Sequence, residues 1–175
     1  MKINALALVM LASPGIVMAT PTVTFQGEVT QQTCAVDIAG ATAGTVLLPT
    51  VTSTELSAIN SKAGLTPFTI SVSNCAISGT DLALKTQFLG HNVTAAGNLG
   101  NKAANGATNV ALQLTKAADG VAPITLNGVT SVDITPVPVG QEGVEHTFGV
   151  QYISESGNAG AGAVEGVAEY TISYQ

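Results

Sequence analysis

Arginine and tryptophan are absent from this sequence, and cysteine occurs only twice. The five basic residues are all lysines, set against eleven acidic ones, for a net charge of −6. Nucleic-acid binding needs an excess of cations along the phosphate track and commonly uses Arg forks. That class is set aside, and no nucleic-acid partner is expected. Cys34 and Cys75 form no C-x-x-C pair, and the two histidines, His91 and His146, have no thiolate or carboxylate partners at metal-ligand spacing. A catalytic thiol paired with either histidine has no motif around it. G-x-S-x-G does not occur, and the acidic residues are scattered instead of paired. No catalytic residues, metal or cofactor are expected, and the chain does not read as an enzyme.

Long apolar runs are scarce as well. The clearest, Ala5-Leu6-Ala7-Leu8-Val9-Met10-Leu11-Ala12, follows Lys2 and is broken by Ser13-Pro14-Gly15. With Val17-Met18-Ala19 at a small-residue cleavage position, residues 1–19 read as a secretory signal peptide. A transmembrane helix is the competing reading, but the broken run is too short to span a bilayer. Cleavage after Ala12 is the alternative to cleavage after Ala19. Export leads to an oxidising compartment, where an even cysteine count reads as one disulfide, Cys34–Cys75. The chain-entropy model gives such a loop roughly 4 kcal/mol.

What is abundant is glycine, nineteen residues of it, and an apolar content of 46% drawn from Ala, Val, Leu and Ile. About 155 residues follow the leader, which is one domain with a core of its own. Between Thr22 and Val29, the positions Val23, Phe25, Gly27 and Val29 alternate with polar ones, the period-two mark of a strand. The far end repeats the pattern in Ala168, Tyr170, Ile172 and Tyr174. In between, Gly44–Pro49, Pro67–Cys75, Leu82–Phe88, Val110–Thr115, Val121–Leu126 and Val144–Ile153 read as extended. Asp119-Gly120 marks a hairpin and Asn127-Gly128 a turn. Thr52–Ala63 has room for one capped helical turn. Gly90–Asn109, rich in Gly and Asn, reads as a long surface loop, and its Asn92-Val93-Thr94 fits a glycosylation pattern. About seven short strands with almost no helix predict an all-β, immunoglobulin-like β-sandwich.

At this point the sequence resembles the chaperone–usher fimbrial subunits, the type 1-like pilins. The resemblance rests on the leader, on Val23-Thr24-Phe25-Gln26-Gly27-Glu28-Val29 shortly before Cys34-Ala35-Val36-Asp37, and on the ending Tyr170-Thr171-Ile172-Ser173-Tyr174-Gln175. The family's C-terminal motif, a penultimate Tyr with Gly at the fourteenth position from the end, falls on Tyr174 and Gly162. The resemblance implies a sandwich lacking its final strand and completed by donor-strand complementation. Residues 20–30 would then be the N-terminal donor extension, and residues 31–175 the pilin domain. Implied partners are a periplasmic fimbrial chaperone, an outer-membrane usher and neighbouring pilin subunits in a homo- or hetero-polymer. The implied location, after export through the periplasm, is a fimbrium on the bacterial cell surface, supporting cell adhesion.

The residues fit that implication. Burying Val23, Phe25 and Val29 in a neighbour contributes roughly 5–8 kcal/mol, and ladder hydrogen bonds about 1 kcal/mol each. Gly27 suits a place where the accepting groove is shallow. The implied chaperone and acceptor strand carries Ala168, Tyr170, Ile172 and Tyr174, with Gly162 upstream. The plainer reading makes Val23–Val29 the first strand of its own domain. With cleavage after Ala19, only Thr20–Gln26 precede Gly27, which is shorter than in many major pilins and closer to the linking subunits of a tip. Shaft subunit and minor tip adaptor therefore both stand, beside a secreted single-domain adhesin or binding module.

Overall fold

Every second side chain is apolar in Phe68-Thr69-Ile70-Ser71-Val72, and these residues belong to the longest strand of the fold. The structure, a computed structural model, describes residues 34–39, 44–76 and 78–175. The strand expected over Val23, Phe25, Gly27 and Val29 lies outside the described residues. Those described form eight strands and no helix: β1 (Ala35–Ala39), β2 (Ser61–Ser73), β3 (Leu84–His91), β4 (Leu99–Gly100), β5 (Ala111–Thr115), β6 (Val129–Asp133), β7 (Val144–Ser154) and β8 (Val167–Tyr174).

They make two sheets with every pairing antiparallel, a five-stranded one in the order β1-β2-β7-β5-β4 and a three-stranded one in the order β6-β3-β8. Inward residues of both sheets meet on Phe148, which is fully buried. It lies 5.6 Å from Phe68 on the neighbouring strand and 5.3 Å, edge-on, from Phe88 on the opposite sheet. Few aromatics suffice because three of them converge there.

Local chemistry departs from the sequence reading in three places. The turn at Thr52–Ala63 is a run of i to i+3 turns, not a helix, with Thr52 N–H and hydroxyl both donating to Glu55 Oε2 (2.8 and 2.9 Å). Those two bonds hold the Glu55 carboxyl below its usual range. From Ser61 onward the segment is already β2. Gly90–Asn109 is not a surface loop throughout: β3 runs on to His91, and Leu99–Gly100 pairs with β5, burying Asn98 and Leu99. Thr94, part of the glycosylation pattern, donates to Glu155 (2.6 Å) in the same tie as Asn98. The hairpin at Asp119-Gly120 forms, but its second arm is held only by a bridge between Thr115 and Pro123, with Lys116 N–H donating to the Ala122 carbonyl and Ile124 N–H to the Leu114 carbonyl (both 2.8 Å).

Candidate strand-accepting groove

Among the described strands β8 has one neighbour, β3. It pairs with β3 from Leu84↔Tyr174 to His91↔Val167, and no described strand lies beyond it. The inner face of β3 is sealed: Leu84, Thr86 and Phe88 are 2%, 0% and 3% exposed. On the same face of the adjacent strand, Ala168, Tyr170, Ile172 and Tyr174 all stay half-buried. Neighbouring strands with equally apolar inner faces should be equally covered. The difference marks a margin of the sandwich that no described strand covers.

Opposite β8 the half-buried residues Ile38, Val46 and Leu48 face the same gap. The gap is a groove of about 580 Å³ running between β8 and the 44–48 lip, floored by Phe68, Phe88, Leu114 and Val150. Tyr152 and Val164 also border a second recess of about 350 Å³, walled by Leu56, Val110 and the small residues of 159–163. Burial, and secondarily the Asp37 carboxylate, push the Tyr170 phenol above its ordinary range. A long apolar trough flanked by an outer strand suits an extended segment whose alternate side chains point inward.

The two ends of the molecule differ. At one pole Cys34 and Cys75 are joined in a disulfide between the start of β1 and the end of β2, and the Cys34 N–H donates to the Tyr174 hydroxyl (3.3 Å). At the other, Gly162 precedes β8 beside the second recess. A Cβ on Gly162 would run into the backbone at Ala107 and Gly106, and its φ of 157° is one that L side chains rarely adopt. His91 and His146 do not converge: His91 meets Glu169 (2.9 Å), and His146 is held by Thr135 and the Lys116 carbonyl. Among the described residues no His, Cys, Asp and Glu cluster could hold a metal. Sequence reasoning missed Val46, Leu48, Tyr152 and Val164 as groove residues, although Thr45-Val46-Leu47-Leu48 was legible as extended chain.

Residues 23–175 match the family model described as fimbrial protein. The chain belongs to this family. It is similar to the F17 fimbrial protein of Escherichia coli, 36% identical, with 87% of this chain and 86% of that one covered. The major fimbrial subunit SMF-1 of Stenotrophomonas maltophilia is 34% identical, with coverage of 89% and 93%. Among solved structures, the P pilus rod subunit PapA matches with a TM-score of 0.58 at 17% identity, over 81% of this chain and 99% of that one. A Burkholderia pseudomallei antigen and type I fimbria protein matches with a TM-score of 0.58 at 24% identity, over 82% of this chain and all of that one. At those identities the structural matches establish the fold, which is the immunoglobulin-like sandwich of pilus subunits.

Fimbrial proteins are structural subunits of surface fibres, not enzymes, and this chain is a structural fimbrial subunit. The half-covered inner face of β8 is thus a feature of a protein whose place is in a cell-surface fimbrium.

Proposed function

We propose that this fimbrial subunit polymerises by donor-strand exchange, with residues 20–30 of one copy filling the groove beside β8 of the next. The observation that carries the reading is the contrast between the sealed inner face of β3 and the half-buried one of β8. β-strand addition, of which chaperone–pilin complexes are a type example, supplies ladder bonds along a sheet edge and side chains to the trough. Val23, Phe25 and Val29 would enter the groove, with Gly27 where the backbones come close. Residues 1–19 serve export, a periplasmic chaperone holds the groove before assembly, and an outer-membrane usher carries the exchange. The names of the curated relatives favour a shaft-forming subunit over a tip adaptor.

The sense of insertion follows from the chain path. The segment before Cys34 leaves from the disulfide pole, where β8 ends. If that segment ran parallel to β8 of its acceptor, its body would emerge at the acceptor's disulfide pole. Both neighbours of every subunit would then crowd one pole, and no linear fibre could grow. Insertion antiparallel to β8 puts the neighbours at opposite poles.

The two terminal segments have separable jobs on this reading. Phe25→Asp should leave chaperone binding intact while incorporation as a donor fails. Ile172→Asp damages the strand that chaperone and donor both use, so chaperone complex and fibres should be lost together. Co-purification with the chaperone and a fibre count for each variant decide it. Loss of chaperone binding in Phe25→Asp as complete as in Ile172→Asp would place residues 20–30 in their own domain's core.

A further inference from the structure

Asn101 follows β4 directly and uses every bonding position of its amide. Its Nδ2 donates to the carbonyls of Ala107 (3.0 Å) and Ala163 (2.9 Å), and its Oδ1 accepts from the N–H groups of Ala103 (3.0 Å) and Glu165 (3.0 Å). A neutral amide has two N–H donors and an oxygen with two lone pairs, so the group is saturated. Two carbonyls on one side and two N–H groups on the other also fix which way it faces. Two of these partners belong to loop 101–107 and two to segment 163–165, which precedes β8.

Around the amide, Lys102 N–H donates to the Glu165 carbonyl (2.9 Å), Ala107 N–H to the Ala163 carbonyl (2.9 Å), and Lys102 Nζ pairs with Glu165 Oε1 (3.4 Å). The segment fixed in this way is a wall. Val164, Glu165 and Gly166 line the main groove, and Ala163 and Val164 the recess that continues it. It belongs to no strand, since β8 begins only at Val167.

We infer that Asn101 is a positioning residue that sets the far wall of the groove, and with it the fit to the last apolar residue of the incoming segment. The inference rests on the donor-strand reading. With insertion antiparallel to β8, Val29 lies nearest this wall and Val23 farthest from it. Asn101 touches neither, so its effect passes through the backbone of 163–166. It is only partly buried, so in Asn101→Ala water can reach the released groups and the sandwich survives while the wall relaxes.

The test is a competition for the groove. The full chain is refolded with equal amounts of a peptide spanning residues 20–33 and the same peptide carrying Val29→Ala or Val23→Ala, and captured peptide is read by mass spectrometry. Losing the two methyl groups of a seated valine should give about tenfold discrimination by the wild-type protein at each position. In Asn101→Ala the Val29 discrimination should fall toward none, with Val23 discrimination unchanged. Retained Val29 discrimination, or equal loss at both positions, overturns the inference. Asn101→Asp, which keeps an acceptor for the two N–H groups, covers the case in which the alanine variant does not fold. It should lie between the two, and wild-type behaviour there is equally fatal. Failure of the wild-type protein to capture any peptide overturns the donor-strand reading itself, and the inference with it.

Discussion

At the scale of single residues, this chain uses small side chains where backbones must touch. Gly162 is one such place, because loop 106–107 lies where its Cβ would be. Gly162→Val should force the 159–166 link off that loop and destabilise the subunit by about 2 kcal/mol or more, read as a lowered melting temperature of the chaperone-held or complemented form. An unchanged melting temperature would mean the link gives way without cost. Family resemblance marked Gly162, but its reason was not legible, because the clashing residues lie far off in sequence. Cys34 and Cys75 are the opposite case. Export and an even count named the pair, and the disulfide joins those two residues. Asn101 was invisible for a different reason: four bonds to main-chain groups leave no periodicity and no motif.

At the scale of elements, strands with alternating faces were legible and those without were not. β7 and β8 announce themselves through Phe148, Val150, Tyr170 and Ile172, whereas β4 is two residues inside a Gly/Asn-rich stretch whose burial comes from pairing with β5. The other arm of the Asp119-Gly120 hairpin looked like a strand by composition, but beyond the bridge at Pro123 it builds no named strand. β8 is the element whose state should change on assembly. Its amides facing away from β3 between Val167 and Ile172 have no described strand to bond. Hydrogen exchange followed by mass spectrometry should find them fast in a subunit with an empty groove and strongly protected in fibres. Protection that is already complete in a monomeric subunit would mean that the sandwich closes itself.

At the scale of the whole molecule, the decisive property is polarity. Ile59, 70% exposed, lies just before β2 begins, beside the end of β7. Val139, 54% exposed, lies between β6 and β7, close to Cys75, where β2 has ended; its N–H is held by Asp81 and the Cys75 N–H by the Glu142 carbonyl. β2 has thirteen residues, so the two sites are separated by roughly 40 Å within one subunit. From Val29 to Cys34 an extended chain reaches at most about 18 Å. A donor whose Val29 sits at its neighbour's far wall must therefore hold its own disulfide pole close to that neighbour's Ile59 pole. Fibres assembled from a mixture of Ile59→Cys and Val139→Cys subunits should cross-link between unlike copies with a reagent much shorter than the subunit. Fibres of Val139→Cys alone should not, because antiparallel insertion never brings two disulfide poles together along the donor path. Efficient cross-linking between Val139→Cys copies, with none between unlike copies in the mixture, would mean that the segment enters parallel to β8. The pole-to-pole geometry, and the assignment of Val29 to the wall held by Asn101, would then both be wrong.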